Sequence, residues 1–158
     1  MIMHNIKLFV MDVDGTLTDG KIHIGSNGEV MKSFNVKDGY GIAQILKRHG
    51  VTPVIITGRE SDIVSYRANE LGIEHLYQGI SNKLELLKSI ASELGVEQND
   101  IAYIGDDLND LECIDYCGIT ACPNDAVSSV LGAVDYICAV NGGDGAVRDF
   151  IDYLFDNE

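Results

Sequence analysis

The stretch Phe9 to Gly20, FVMDVDGTLTDG, is an apolar run that stops abruptly at Asp12, with Asp14 and Asp19 following within a few residues. Two acids separated by one residue point roughly the same way as a chain leaves a strand, and Gly15 lets the backbone turn sharply there. Polar groups also end later apolar runs. Thr57, Gly58 and Arg59 close IITGR, Asp106, Asp107 and Asp110 close IAYIGDDLND, and Lys83 opens a helical pattern between them. If these ends share one edge of a sheet, several carboxylates meet there. Two such charges about 5 Å apart repel by about 3 kcal/mol at an effective dielectric of about 20, so the cluster demands a cation. Carboxylate and carbonyl oxygens completed by water suit Mg2+, a hard ion that shares its shell with phosphate, and this points to phosphoryl chemistry. An EF-hand, the other common use of D-x-D-G, is excluded. Its sixth position needs glycine and its twelfth a bidentate acid, and Leu17 and His23 stand there.

The elements that must position these groups are legible as alternating patterns. IKLFVM from Ile6 is a continuous apolar run of the kind buried on both faces of a parallel sheet, and TPVIIT, IAYIG, GITAC and DYICAV repeat it. Helical spacing separates them in GIAQILKRHG, stopped by Gly50, and in SDIVSYRANELG, stopped by Gly72. NKLELLKSIASELG is the clearest helix, with Asn82 as its cap and Leu84, Leu87, Ile90, Ala91 and Leu94 as its stripe. NDLECIDYC and AVRDFIDYLF supply two more helices. This alternation predicts an α/β fold, a Rossmann-like three-layer sandwich around a central parallel sheet. KIHIGSNGEVMKSF departs from the rhythm: it alternates in period two about Asn27-Gly28 and predicts a β-hairpin flap over about residues 20–35, inserted after the first strand.

At 158 residues, with no linker-like tract or repeat, the chain is expected to form one domain spanning 1–158. A net charge of −14 argues against nucleic acid or an anionic membrane as partner. No apolar run reaches the length of about 20 residues needed to span a bilayer, and the N-terminus resembles no signal peptide, so a cytoplasmic location is expected. Cys113, Cys117, Cys122 and Cys138 lack metal-ligand spacing and read as buried reduced thiols, and His4, His23, His49 and His75 are scattered and read as structural.

Taken in order, DVDGT, ITG, NK and GDDLND resemble the four motifs of the haloacid dehalogenase superfamily. That resemblance implies that Asp12 is a nucleophile forming an aspartyl-phosphate and that Asp14 is the acid and base. It further implies that Mg2+ is held by the Asp12 side chain, the Asp14 carbonyl and Asp106. Lys83 and Thr57, with backbone amides around Gly15 and Gly58, would neutralise and bind the phosphoryl group. Asp107 and Asp110 would orient the metal site or Lys83 without touching substrate.

KSFNVKDGYGI, ITGRES, HLYQGISNK and GGDGAVRDF resemble the subgroup, lacking a cap domain, of 3-deoxy-D-manno-octulosonate 8-phosphate phosphatases and nonulosonate 9-phosphate phosphatases. The implied substrate is the phosphorylated eight-carbon sugar acid, with the nine-carbon acids as alternative, in a pathway such as lipopolysaccharide biosynthesis. Asn35, Lys37, Asp38 and Gly39 would lie against the sugar acid, with Arg59 and Arg67 supplying positive charge. For Arg67 a helix-surface ion pair is the competing reading. The subgroup also implies a homotetramer whose hairpins complete neighbouring active sites. Exposed Ile22, Ile24, Val30 and Phe34 would make such pairing physically sensible. A non-catalytic oligomerisation module is the competing class, distinguished by the intact Asp12, Asp14, Lys83 and Asp106 set.

Overall fold

The computed structural model describes residues 5–155. His4 lies outside the described residues. In chain order the strands are β1 (Leu8–Met11), β2 (His23–Gly25), β3 (Gly28–Met31), β4 (Thr52–Ile56), β5 (His75–Tyr77), β6 (Ile101–Ile104), β7 (Ile119–Cys122) and β8 (Tyr136–Ile137). The helices are α1 (Val36–Tyr40), α2 (Asp62–Glu70), α3 (Lys83–Leu94), α4 (Leu111–Tyr116), α5 (Ser128–Leu131) and α6 (Ala146–Phe155). α1 runs on without a break into a π-helical stretch, Gly41–Leu46. The helix read from GIAQILKRHG therefore starts earlier, at Val36, where the Asn35 side chain accepts from Lys37 N.

One six-stranded sheet in the order β5-β4-β1-β6-β7-β8 forms the middle layer, parallel throughout. Side chains alternate between its faces as the pleat requires. Phe9 and Met11 of β1 point to one face, where Ile42, Leu46, Val64, Phe150 and Ile151 cover them. Leu8 and Val10 point to the other, under Leu87, Ile90, Ala91 and Ile114. Both faces of each central strand are thus buried, which is why these strands read as unbroken apolar runs. From β1 the chain steps outward to β4 and β5, then returns to pair β6 on the opposite side of β1. Strand order reverses there, and a crevice opens at the carboxyl ends of β1 and β6.

Two expectations shift. Leu94, counted in the α3 stripe, is the last residue of the helix and is 42% exposed, whereas Leu87 and Ile90 are buried. The hairpin is present, but Gly25 pairs with Gly28, so Ser26 and Asn27 form its turn rather than Asn27 and Gly28. Only Gly28 takes positive φ, at +110°. β5 and α5, each short and partly polar, were not anticipated. Cys113, Cys122 and Cys138 are buried and Cys117 is half-buried, all of them free thiols. Burial pushes the Cys113 thiol up to about 12 and that of Cys122 up to about 11, so neither is a ready nucleophile.

Phe150 is fully buried and packs on Phe9 with ring centroids 5.4 Å apart. Truncating it with Phe150→Ala is expected to cost about 3–5 kcal/mol. Urea denaturation should show this as a lower midpoint with an unchanged slope.

Candidate active site

Asp12 follows β1 directly and its amide donates to Ile104 O of β6 at 3.2 Å, which places its carboxyl in the crevice between the two strands. Thr57 directly follows β4, Asp106 lies two residues past β6, and Lys83 is the first residue of α3. Asn82 accepts from Glu85 N at 3.1 Å, capping α3 so that its first turn points Lys83 inward. Lys83 is 3% exposed, and its Nζ lies 3.1 Å from Asp12 Oδ1 and 2.8 Å from Asp110 Oδ1.

Asp110 is the organiser of this arrangement. One oxygen takes Lys83 and the Tyr103 hydroxyl at 2.5 Å, and the other accepts from Asp106 N at 2.9 Å and Asp107 N at 3.2 Å. Its lone pairs are therefore committed to the protein. Asp107 caps the short turn that carries Asp110, accepting from Leu108 N at 2.7 Å. Thr16 donates its hydroxyl to Asp106 Oδ1 at 3.1 Å. Gly15, at φ +88°, passes so close to Asp106 that any Cβ would overlap the carboxylate, so only glycine serves here.

Oxygens of Asp12, Asp106 and Asp110 all lie within 4.8 Å of one another. This donor set fits a hard divalent cation. Because Asp110 is already saturated, Asp12 and Asp106 are the side chains free to hold one. Burial, then the Asp110 charge, raises the Asp12 carboxyl to about 6, against the pull of Lys83. Burial, then the charges of Asp12 and Asp110, raises Asp106 to about 8. Desolvation disfavours the Lys83 ammonium, but the two acids outweigh it and keep the group charged.

Asp14 faces a different environment. Its Oδ1 is 2.6 Å from Lys32 Nζ, and Arg59 Nε is 3.8 Å from its Oδ2. Glu29 gathers the same cations, at 3.0 Å from Lys32 and 3.4 Å from Arg59, and accepts from Ser61 Oγ at 2.8 Å. The hairpin is thereby tied to Asp14. The sequence reading missed Lys32, Thr16 and Tyr103; the period-two pattern that set Lys32 in the hairpin was its one available signal.

The remaining candidates lie farther along the same edge or beneath it. Asn35 caps α1, and Lys37 is exposed beside it. Arg67 makes the helix-surface pair with Glu70 at 2.8 Å while stacking over Phe34 at 5.6 Å. Phe34, expected to be exposed, is half-buried against the core. Asp38 is 1% exposed, with Gly39 beside Arg67. Gly58 lies near Asn109 and the Ile80 carbonyl.

The family model of haloacid dehalogenase-like hydrolases matches residues 73–151. The 3-deoxy-D-manno-octulosonate 8-phosphate phosphatase KdsC of Escherichia coli K12 is 43% identical over 150 residues, covering 95% of this chain and 79% of the relative. The Yersinia pestis enzyme of that name is 42% identical over 95% of this chain and 80% of its own length. Among solved structures, the Moraxella catarrhalis phosphatase in complex with magnesium, phosphate and KDO superposes with a TM-score of 0.93. It shares 43% identity, over 98% of this chain and 88% of that one. The cobalt-bound Haemophilus influenzae phosphatase also gives 0.93, at 38% identity over 98% and 90%.

Between the unfolded value of 3.8 and the folded values of about 6 and 8, the metal-free folded state holds protons on Asp12 and Asp106 that the unfolded chain has lost. Metal-free stability therefore falls as pH rises through this window, and a cation must displace those protons to bind. The rise in Tm caused by a fixed Mg2+ concentration should thus be larger at about pH 9 than at about pH 5. Calorimetric scans at the two pH values, with proton release measured in paired buffers, check this. An equal gain at both would contradict the assigned donors.

Proposed function

The chain belongs to the haloacid dehalogenase-like hydrolases, and from that membership we propose that it is a phosphomonoesterase converting 3-deoxy-D-manno-octulosonate 8-phosphate to the free sugar acid and phosphate. The observation that carries this reading is the buried Asp12 carboxyl held 3.1 Å from Lys83 beside Asp106. A carboxylate is a weak nucleophile toward an anionic ester, and here the Lys83 ammonium supplies positive charge on one side while Asp12 and Asp106 would hold a cation on the other. Asp12 attacks phosphorus, the ester P–O bond breaks, and Asp14 delivers a proton to the leaving sugar oxygen. Asp14 then takes a proton from water, which cleaves the aspartyl-phosphate and frees Asp12. Asp12, Asp106 and the Asp14 carbonyl would hold Mg2+, which supplies charge neutralisation to the phosphoryl oxygens. Lys83, Thr57 and the amides near Gly15 and Gly58 bind those oxygens, and Asp107 and Asp110 keep Asp106 and Lys83 aligned.

Recognition of the sugar acid falls in this reading to Asn35, Lys37 and Gly39 along the first helix. Arg59, whose planar fork matches a carboxylate, and Arg67 supply positive charge. The hairpin is a separate two-stranded sheet whose Ile24 and Val30 are 74% and 61% exposed. Such a hairpin gains stability by packing on other copies, in keeping with a homotetramer whose sites are shared between subunits. The chain is read as one domain working in the cytoplasm. Two facts fit that reading: no described helix is long and apolar enough to cross a membrane, and the described cysteines are free.

Turnover of the octulosonate 8-phosphate should exceed that of hexose 6-phosphates by about 100-fold or more in kcat/KM, with nonulosonate 9-phosphates between them. Similar values for all three would remove the sugar-acid assignment. Asp12→Asn should lower kcat by at least about a thousandfold while leaving the circular dichroism spectrum intact. Sedimentation should give a tetramer, and a fully active monomer would refute shared sites.

A further inference from the structure

α6 opens in an unusual way. Asp149 N donates to Gly145 O at 2.9 Å, so Gly145 occupies the position just before the helix, where Ser, Asp or Asn normally accepts from an amide two or three residues on. Glycine offers no acceptor, and its φ of +102° disfavours any residue that would. The amide of the third helical residue, Arg148, instead donates to Asp38 Oδ1 at 2.8 Å, from a residue 110 positions earlier. Burial raises the Asp38 carboxyl to about 6, opposed by the Arg148 and Val147 amides and by Arg67.

Immediately before Gly145, the chain lies against the catalytic turn. Gly143 N donates to Thr16 O at 3.3 Å, and Gly142 N donates to Asp125 Oδ1 at 3.0 Å. A Cβ on Gly142 would overlap the Gly15 carbonyl, and one on Gly143 would come within 2.6 Å of Asp19 N. The turn Gly15 to Asp19 is therefore clamped between this glycine stretch and, through Gly15 and Thr16, the Asp106 carboxylate.

We propose that Asp38 is a positioning residue. By capping α6 from a distance it fixes Gly142 and Gly143, and through them holds the turn after Asp14 against Asp106. This departs from the role in sugar contact that the family resemblance suggested, and it rests on the phosphatase reading above. Asp38 Oδ2 is buried without a hydrogen-bond partner, and Asp38 lines a largely apolar cavity with Asn35, Gly39 and Arg67 that has room for about one water molecule.

The test compares Asp38→Ala, Asp38→Asn and Gly143→Ala with the wild type, at saturating Mg2+ and well below each variant's Tm. The two substrates are octulosonate 8-phosphate and p-nitrophenyl phosphate. Asp38→Ala should lower kcat by about tenfold on both esters by the same factor, with KM within about twofold. Asp38→Asn, which keeps an acceptor oxygen for the helix, should recover most of that loss. Gly143→Ala, which strains the catalytic turn directly, should show the kcat loss that displacement of this turn causes; if Asp38→Ala does not fold, Asp38→Asn decides the matter by whether its effect falls on kcat for both esters or on KM for the sugar acid alone. A rise in KM confined to the sugar acid would make Asp38 a substrate contact and overturn the proposal. A lowered Tm with unchanged kcat would overturn it too, leaving only a helix cap. A wild type active on the aryl ester alone would remove the substrate assignment but leave the Asp38 comparison decided on that ester. A wild type inactive on both would sink the two together.

Discussion

Negative charge crowded into a space that excludes water is the constraint on which the rest of the structure depends. Asp12, Asp106 and Asp110 bring oxygens within 4.8 Å of one another at a buried strand edge. Each pair at about 5 Å repels by about 3 kcal/mol at an effective dielectric of about 20. The chain offsets this with one buried ammonium, Lys83, and with hydrogen bonds that use up Asp110 entirely. That division of labour leaves Asp12 and Asp106 with raised pKa values, so a cation that binds them competes with protons.

Much of the surrounding architecture serves to bring backbone close to these acids. Gly15 passes against the Asp106 carboxylate, and Gly105 leaves room for that of Asp110, where a side chain would collide. Gly142 and Gly143 press on the opposite side of the catalytic turn. Asp14, only two residues beyond Asp12, escapes the cluster because Lys32 and Arg59 hold its carboxyl toward the hairpin. The two acids of D-x-D thus occupy distinct electrostatic settings, Asp12 beside buried Lys83 and crowded by Asp106 and Asp110, Asp14 between the buried Lys32 side chain and half-exposed Arg59.

Both the order of elements and the candidate site could be read from residue patterns, because in a doubly covered parallel sheet the strands are apolar throughout and their polar stops mark one edge. β1, β4 and β6 announced themselves in this way, and α3 did so through Asn82 and its buried stripe. β5 did not, because His75, Leu76 and Tyr77 are each only half-buried at the sheet's edge and show neither a continuous apolar run nor clean alternation. The hairpin turn was displaced by one residue because Gly28 alone takes the positive φ, leaving Asn27 in an ordinary conformation.

By itself the sequence determined the fold class and the acids that gather at the strand ends, since local hydrophobic period and turn chemistry need no partner to be expressed. Only the tertiary structure decided how those acids divide their work. That Asp110 is saturated by Lys83 and Tyr103, that Lys32 reaches Asp14, and that Asp38 caps a helix 110 residues away are all contacts between distant segments. The strength of an ion pair or a hydrogen bond depends on distance and burial, and neither is set until the sheet has closed and water has left the crevice.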